Sequence, residues 1–223
     1  MKAMILAAGR GERMRPLTDS VPKPLLQIDE HCLIEHHLFN LRDAGFTEVI
    51  INVAWLGQQI IDKLGSGDKY GVKLVFSNEG DQALETAGGI FNALPLLGEA
   101  PFLVINGDIW TDYPLQSLCS HRLTTKAHLV LVNNPPHHPQ GDFSIAGNLL
   151  QENVQQKYTF SGIGVYSAEF FQQSSNGKYP LAPMIRQFIS QQQISGELYQ
   201  GEWWDIGTPQ RLQQLQQFIS QRG

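Results

Sequence analysis

The chain has 223 residues and a formal net charge of −5, from 16 Lys and Arg against 21 Asp and Glu. With 42% hydrophobic and 17% charged residues it is too apolar and too weakly charged for a disordered chain, and its acidic balance argues against non-specific nucleic-acid binding. No stretch approaches the roughly 20 apolar residues that span a bilayer, so we expect one cytoplasmic domain with no nucleic-acid, membrane or obligate protein partner.

Short apolar runs alternate with amphipathic stretches as far as Val132, a pattern typical of βα units around a largely parallel sheet. The predicted strands are Lys2–Leu6, Val49–Val53, Val72–Phe76, Phe102–Ile105 and Leu129–Val132. The predicted helices are Leu33–Ala44, Leu56–Leu64, Gly89–Leu97 and Leu115–Leu123. This alternation predicts an α/β fold.

The pattern changes after Val132, where Asn, Pro, His and Gly form a run of turn residues that ends at Gly141. The later predicted elements are strand-like pieces at Asp142–Ala146 and Thr159–Tyr166, then helices at Pro183–Gln193 and Pro209–Gln221. We interpret the two strand-like pieces as an antiparallel excursion. Cys32 and Cys119 belong to no Cys-x-x-Cys motif, which favours buried free thiols in a reducing compartment.

A glycine-rich loop, Gly9-Arg10-Gly11-Glu12-Arg13-Met14-Arg15, follows the first predicted strand. Glycines let backbone N–H groups approach a phosphate, and the first 25 residues hold five basic side chains against two acidic, a local charge of +3. The loop lacks Gly-Lys-Ser/Thr, and Met14 stands at the third glycine position of a dinucleotide fingerprint. It therefore indicates a phosphate-bearing ligand and disfavours a nicotinamide-dependent dehydrogenase. A tight strand-to-helix turn is the alternative.

Three charged residues occupy positions suited to such a ligand. Lys23 is flanked by two prolines, which restrict its backbone and orient its ammonium group. Asp108 follows a buried strand, at the sheet edge where α/β proteins bind ligands, and Asp205 lies just before the last predicted helix. Nucleotide-bound Mg²⁺ takes one or two carboxylates, so the two aspartates are candidate metal ligands. Turn or helix-cap roles remain open for all three residues.

Four segments together resemble the sugar-phosphate nucleotidyltransferases, which join a sugar 1-phosphate to a nucleoside triphosphate and release pyrophosphate. They are Leu6-Ala7-Ala8-Gly9-Arg10-Gly11-Glu12-Arg13-Met14 with Pro16-Leu17-Thr18, Pro22-Lys23-Pro24, Asn106-Gly107-Asp108, and Trp204-Asp205-Ile206-Gly207-Thr208. The resemblance implies a Rossmann-like three-layer sandwich with a mixed, mainly parallel central sheet and a small antiparallel sugar-binding excursion. It also implies a minimal catalytic domain over residues 1–223, in which 1–132 mainly bind nucleotide, 133–202 mainly bind sugar phosphate, and 203–223 supply a metal aspartate and the closing helix.

The resemblance further implies roles for individual residues. It makes Arg13, Lys23 and Asp108 catalytic, with Arg13 and Lys23 on the triphosphate, and it assigns Mg²⁺ to Asp108 and Asp205. The other implied nucleotide-binding residues are Ala8, Gly9, Gly11, Glu12, Gly88 and Asn106, and the implied sugar-binding residues are Gly141, Asp142, Glu152 and Gly162. Two departures stand out. Glu85 replaces a glycine common in the base pocket, and Glu152-Asn153, with Lys157 further on, replaces a Glu-Lys-Pro element.

Three segments resemble family members that act on N-acetylmuramic acid 1-phosphate. They are Leu84-Glu85-Thr86-Ala87-Gly88-Gly89-Ile90, Asp108-Ile109-Trp110-Thr111-Asp112-Tyr113, and Asn134-Pro135-Pro136-His137-His138 with Gly141-Asp142-Phe143. The implied reaction transfers UMP from UTP to that sugar phosphate, giving UDP-N-acetylmuramate and pyrophosphate, in cell-wall recycling. The lactyl carboxylate of muramate calls for donors, for which His137, His138 and Lys157 are candidates.

The implied chemistry needs no general base, because the attacking sugar phosphate is already an anion at neutral pH. Positioning and charge stabilisation are what the site must supply. One alternative keeps the reaction but uses mannose 1-phosphate with GTP, or glucose 1-phosphate with dTTP or UTP. Another is a non-catalytic regulatory protein that binds a nucleotide sugar.

Overall fold

The computed structural model describes residues 1–80, 83–152, 156–172 and 177–222, so Asn153 lies outside the described residues. The strands are β1 (Lys2–Leu6), β2 (Gln27–Ile28), β3 (His31–Cys32), β4 (Glu48–Val53), β5 (Lys73–Asn78), β6 (Phe102–Asn106), β7 (Ile109–Thr111), β8 (Ala127–Val132), β9 (Ser144–Ala146), β10 (Leu149–Gln151), β11 (Thr159–Tyr166), β12 (Ile194–Tyr199) and β13 (Trp203–Asp205). The α-helices are α1 (Leu33–Asp43), α2 (Gly57–Leu64), α3 (Glu85–Leu97), α4 (Gln116–Cys119), α5 (Leu181–Ser190) and α6 (Pro209–Ser220). Among the described helices, none combines the length and apolar character needed to cross a membrane.

A central sheet of nine strands organises the chain, in the order β5-β4-β1-β6-β11-β8-β12-β10-β9. The first four strands are mutually parallel, and β12 is parallel to β8. Alternate residues of β1 enter opposite cores: Ala3 and Ile5 pack with α1 residues such as Leu38, whereas Met4 packs with α3 residues such as Ile90. Helices therefore cover both faces of the sheet, which explains its nearly continuous apolar strands. The predicted α/β sandwich with a mixed, mainly parallel sheet is confirmed.

The predicted antiparallel excursion is smaller than the sequence suggested. Its second piece, β11, runs through the middle of the central sheet, antiparallel to both β6 and β8. Seven of its eight residues are buried, as expected for a strand with neighbours on both sides. Only the short β9–β10 pair and the Phe143–Tyr158 bridge form a small antiparallel addition near the sheet edge.

Several other elements differ from the prediction. Sequence patterning did not predict the short strands β2, β3, β7, β10 and β13, nor the six-residue β12. Helix α3 begins at Glu85 rather than Gly89. It includes Gly88 and Gly89, which lie where a side chain would not fit. A Cβ at Gly88 would lie 2.3 Å from the Gly177 carbonyl oxygen. Helix α4 has four residues, and Cys119 at its end is only partly buried, unlike Cys32.

The start of α1 carries a buried carboxylate. Glu35 accepts hydrogen bonds from the Tyr70 hydroxyl at 2.7 Å and from the Cys32 backbone N–H at 2.9 Å, and Lys63 lies 3.8 Å away. Burial opposes ionisation, but these donors outweigh it and hold the Glu35 pKa at about 2. The ionised carboxylate therefore stabilises the fold above its ordinary pKa of 4.5, and that contribution is lost as the pH falls towards 2.

Tyr70→Phe is expected to lower the free energy of unfolding at neutral pH by about 1.5–3 kcal/mol, because it removes a hydrogen bond to a buried charge. The difference from the wild type should shrink as the pH falls below 4.5. Urea unfolding at a series of pH values measures both effects. Tyr166→Phe is the matched control, because the buried Tyr166 hydroxyl has no hydrogen-bond partner among the described residues. Equal losses in the two variants would contradict this account of Glu35.

Candidate active site

The glycine-rich loop lies at the carboxyl ends of β1, β4 and β6, beside a cavity of about 440 Å³ that we call the strand-end cavity. Gly11 adopts a left-handed conformation with φ of 67°, and the Thr18 hydroxyl donates to its carbonyl at 2.8 Å. Met14 is fully buried with Ile28 and Ile206. The residue at the third glycine position is therefore an apolar anchor that fixes the loop.

The predicted nucleotide-binding residues fall almost entirely in this cavity. Its lining includes Ala8, Gly9, Gly11, Glu12, Arg13, Lys23, Asn106 and Asp108. Gly88 is not part of the lining and lies buried in α3. Their roles stay predictions, but the structure places seven of the eight predicted nucleotide-binding residues, together with Asp108, around one space, although they come from distant parts of the chain.

Only one of the loop's three arginines lines the strand-end cavity. Arg13 does so, whereas Arg10 stacks on Trp55 at 4.8 Å and Arg15 pairs with Asp19 at 3.1 Å. Among the described residues that line the cavity, two are cationic and four are acidic, a net formal charge of −2. The basic local charge predicted from the first 25 residues is therefore not the charge of the cavity.

Lys23 and Asp108 form an ion pair at the base of the cavity. The Lys23 ammonium donates to Asp108 Oδ2 at 2.7 Å, and the two side chains are 10% and 42% exposed. A nearly buried ammonium needs a counter-charge. The pair joins the 3-10 helix Lys23–Leu25 to the segment just after β6. Gly107 reinforces the junction, since its N–H donates to the Leu6 carbonyl at 2.9 Å.

A second polar network in the cavity was missed by the sequence analysis. Asn52 Oδ1 accepts from the Ala7 N–H at 2.7 Å, and Asn52 Nδ2 donates to Glu79 Oε1 at 2.6 Å. Glu79 Oε2 in turn accepts from the Leu84 N–H at 2.7 Å. Asn52 lies near the end of β4 and Glu79 just after β5, so the strand-end argument that selected Asp108 also applies to them.

The second predicted metal ligand, Asp205, faces a different space. Its Oδ2 pairs with Arg211 and its Oδ1 lies 2.9 Å from His137 Nε2. All three residues line a cavity of about 810 Å³ beside α6, the α6 cavity. The Ile206 N–H donates to the Asp108 carbonyl at 2.7 Å, so the backbone segments that carry the two aspartates lie side by side. Their carboxylates nevertheless have different partners, and no cluster of three metal-binding side chains occurs among the described residues.

Of the four predicted sugar-binding residues, one lines a third space, the side cavity, of about 420 Å³. Asp142 lines it, and Glu152 pairs with the lining residue Arg186. Gly162 lies behind the lining residue Asn106, since a Cβ there would be 2.6 Å from Asn106 Nδ2. Gly141 is not part of the lining, and a Cβ at its position would lie 2.6 Å from Asn134 Oδ1.

A buried histidine beneath Asp108 carries no charge at neutral pH. His37 of α1 is 3% exposed, and burial, with a smaller contribution from His36, lowers its pKa to about 4 against the opposing effects of Ile109 and Asp108. The charges beside Asp108 in the cavity are therefore those of the carboxylates and of Lys23 and Arg13.

Comparisons with known proteins identify the family of the chain. A nucleotidyl transferase family profile matches residues 2–156. The chain is 51% identical to N-acetylmuramate alpha-1-phosphate uridylyltransferase of Neisseria meningitidis, over 97% of each chain. It is 32% identical to the catalytic subunit beta of mannose-1-phosphate guanylyltransferase of Drosophila melanogaster, over 93% of this chain and 60% of the relative.

The fold is also that of a solved structure, UDP-glucose pyrophosphorylase in complex with UDP-glucose. The TM-score is 0.81 at 15% identity, over 100% of this chain and 99% of the other. The sequence profile covers more than half of the chain, and it includes the glycine-rich loop, Lys23 and Asp108. The chain belongs to the nucleotidyl transferase family.

Proposed function

We propose that the protein transfers UMP from UTP to N-acetylmuramic acid α-1-phosphate, giving UDP-N-acetylmuramate and pyrophosphate. The observation that carries the proposal is the 51% identity, over almost the whole of both chains, to the Neisseria protein named for that reaction. The shared cavity of the predicted phosphate-binding residues supports it. Cytoplasmic UTP would be one substrate, and muramate salvaged from the cell wall would be the source of the other.

In this proposal the chain's own residues position two anions and stabilise charge. Gly9 and Gly11 bring the loop backbone against the nucleotide, and Arg13 faces the charge that develops on pyrophosphate. Lys23 holds the phosphate at which the new bond forms. The sugar phosphate is already an anion, so catalysis rests on orientation and electrostatics rather than on a base.

The charge of the strand-end cavity supports a role for Mg²⁺. A net lining charge of −2 would repel a triphosphate unless cations accompany it. Asp108 fits such a cation, because it is partly exposed and is a hard oxygen donor of the kind that Mg²⁺ prefers. Asp205 fits only after its carboxylate separates from Arg211. When bound, the metal would neutralise phosphate charge and orient the phosphates.

The proposal is tested by pyrophosphate release with Mg²⁺, with UTP, GTP, dTTP and CTP crossed against the 1-phosphates of N-acetylmuramate, N-acetylglucosamine, glucose and mannose. We expect the highest kcat/KM for UTP with the muramate phosphate. A higher value for another pair would retain the transferase chemistry and reject this substrate assignment. Absence of release with every pair would favour nucleotide-sugar binding without catalysis.

Gly9→Ala tests whether nucleotide approaches the loop. A Cβ at Gly9 would meet no protein atom within 4 Å, and its backbone is outside the left-handed region. The substitution should leave stability unchanged or raise it by about 0.4–1 kcal/mol, yet lower kcat/KM for UTP at least tenfold, because the methyl group occupies ligand space. Gly89→Ala is the contrasting control. A Cβ at Gly89 would collide with Glu79, so this substitution should reduce stability as well as kcat/KM. Unchanged kcat/KM in Gly9→Ala would show that the ligand does not reach this residue.

Asp108→Asn is expected to reduce kcat by about 10²–10³, the range for loss of one preorganised electrostatic group. Asparagine keeps an oxygen for Lys23, so circular dichroism and the unfolding midpoint should report a folded protein. Asp43→Asn is the matched control, because Asp43 pairs with Arg42 and does not line the strand-end cavity. Near-normal kcat in Asp108→Asn would remove this residue from the proposed machinery.

A further inference from the structure

The side cavity adjoins the strand-end cavity. Glu85, Thr86 and Asn106 line both spaces, so a ligand with its phosphate near Lys23 and Asp108 has room for its remaining part in the side cavity. Under the proposed function, on which this inference rests, that part is the sugar. The side chains of this cavity are therefore those that distinguish one sugar phosphate from another.

Most of the side-cavity lining is apolar, with Phe143, Phe160, Leu181 and Ile185 among its residues. Its charged members are Glu85, Asp142 and Arg186, and Arg186 is the one cation among the described residues that line it. The Arg186 side chain is 45% exposed, so it keeps contact with water and is also accessible to a ligand in this cavity. A neutral sugar would leave Glu152 as the partner of Arg186, whereas an anionic sugar offers a second one.

Arg186 is held in place from two sides. Its Nη1 pairs with Glu152, and its guanidinium carbon lies 5.4 Å from the centre of the Phe143 ring. A guanidinium has five N–H donors in a planar fork that suits carboxylates. The contact with Glu152 uses one nitrogen, so the group can bind a second carboxylate without moving from Phe143. The geometry points to Arg186 as the subsite for a carboxylate on the sugar, which in the proposed substrate is the lactyl group.

None of the residues that the sequence analysis put forward for this carboxylate lines the side cavity. His137 contacts Asp205 and Arg211 in the α6 cavity. His138 Nε2 lies 3.1 Å from Asp142 Oδ1. Neither histidine nor Lys157 belongs to the described lining of the side cavity. No sequence motif identifies Arg186, because its position depends on how α5 packs beside β10.

The inference is tested with two substrates that differ only in the lactyl ether, the 1-phosphates of N-acetylmuramate and N-acetylglucosamine, each with UTP. Arg186→Met should lower kcat/KM for the muramate phosphate at least tenfold, the loss expected for a charged hydrogen bond of about 1.5 kcal/mol. The value for the glucosamine phosphate should change less than about threefold, because that substrate has no carboxylate. Arg186→Lys should recover part of the preference, since lysine keeps the charge without the planar fork.

Lys126→Met is the matched control. Lys126 also pairs with a glutamate, Glu169, and precedes β8 at the end of the sheet opposite the strand-end cavity. Lys126→Met should leave kcat/KM unchanged for both sugar phosphates. Equal losses for both sugars in Arg186→Met, or a lost preference in Lys157→Met instead, would overturn the assignment of Arg186. If the wild-type protein does not use the muramate phosphate, the proposed function itself fails, so the two failures are distinguishable.

Discussion

The ion pair between Lys23 and Asp108 is the contact on which the strand-end cavity depends. The Lys23 ammonium is almost removed from water, so it requires the Asp108 carboxylate. The pair holds the 3-10 helix Lys23–Leu25 against the segment just after β6. Under the proposed function, a nucleotide with its metal would bring both a polyanion for Lys23 and a cation for Asp108. The Lys23 ammonium and the Asp108 carboxylate thus neutralise each other in the structure, beside the positions where the proposed reaction needs them.

The three cavities differ in the chemical character of the side chains that line them. The strand-end cavity contains the backbone and charges suited to phosphates, and the side cavity is mostly apolar with one arginine. The α6 cavity holds Asp205 in contact with Arg211 and His137. The shared lining of the first two cavities places them side by side, which under the proposed function suits a donor and an acceptor. Because Asp205 pairs with Arg211 of α6, its carboxylate would be available to a phosphate-bound metal only after that ion pair breaks.

Much of the parallel core and of the strand-end cavity could be predicted from the sequence. The strand Lys2–Leu6 was predicted with the bounds that the structure shows, because a buried parallel strand is a short apolar run ended by glycine. Asp108 follows from the same rule, since carboxyl ends of parallel strands meet at one edge, whereas Lys23 was selected from its flanking prolines and the family resemblance. The central place of β11 was not predictable, because the chain folds back between β6 and β8 without a local signal. The partners of Asp205 and the location of Arg186 depend on how α5 and α6 pack, which periodicity does not specify.

A crystal structure with Mg²⁺ and a non-hydrolysable UTP analogue is the most direct test of the central claim. The account predicts phosphates against Gly9 and Gly11, a metal on Asp108, and Lys23 moved from the carboxylate to a phosphate oxygen. A nucleotide bound in the α6 cavity, or in the strand-end cavity with the Lys23–Asp108 pair intact and no metal on Asp108, would contradict it.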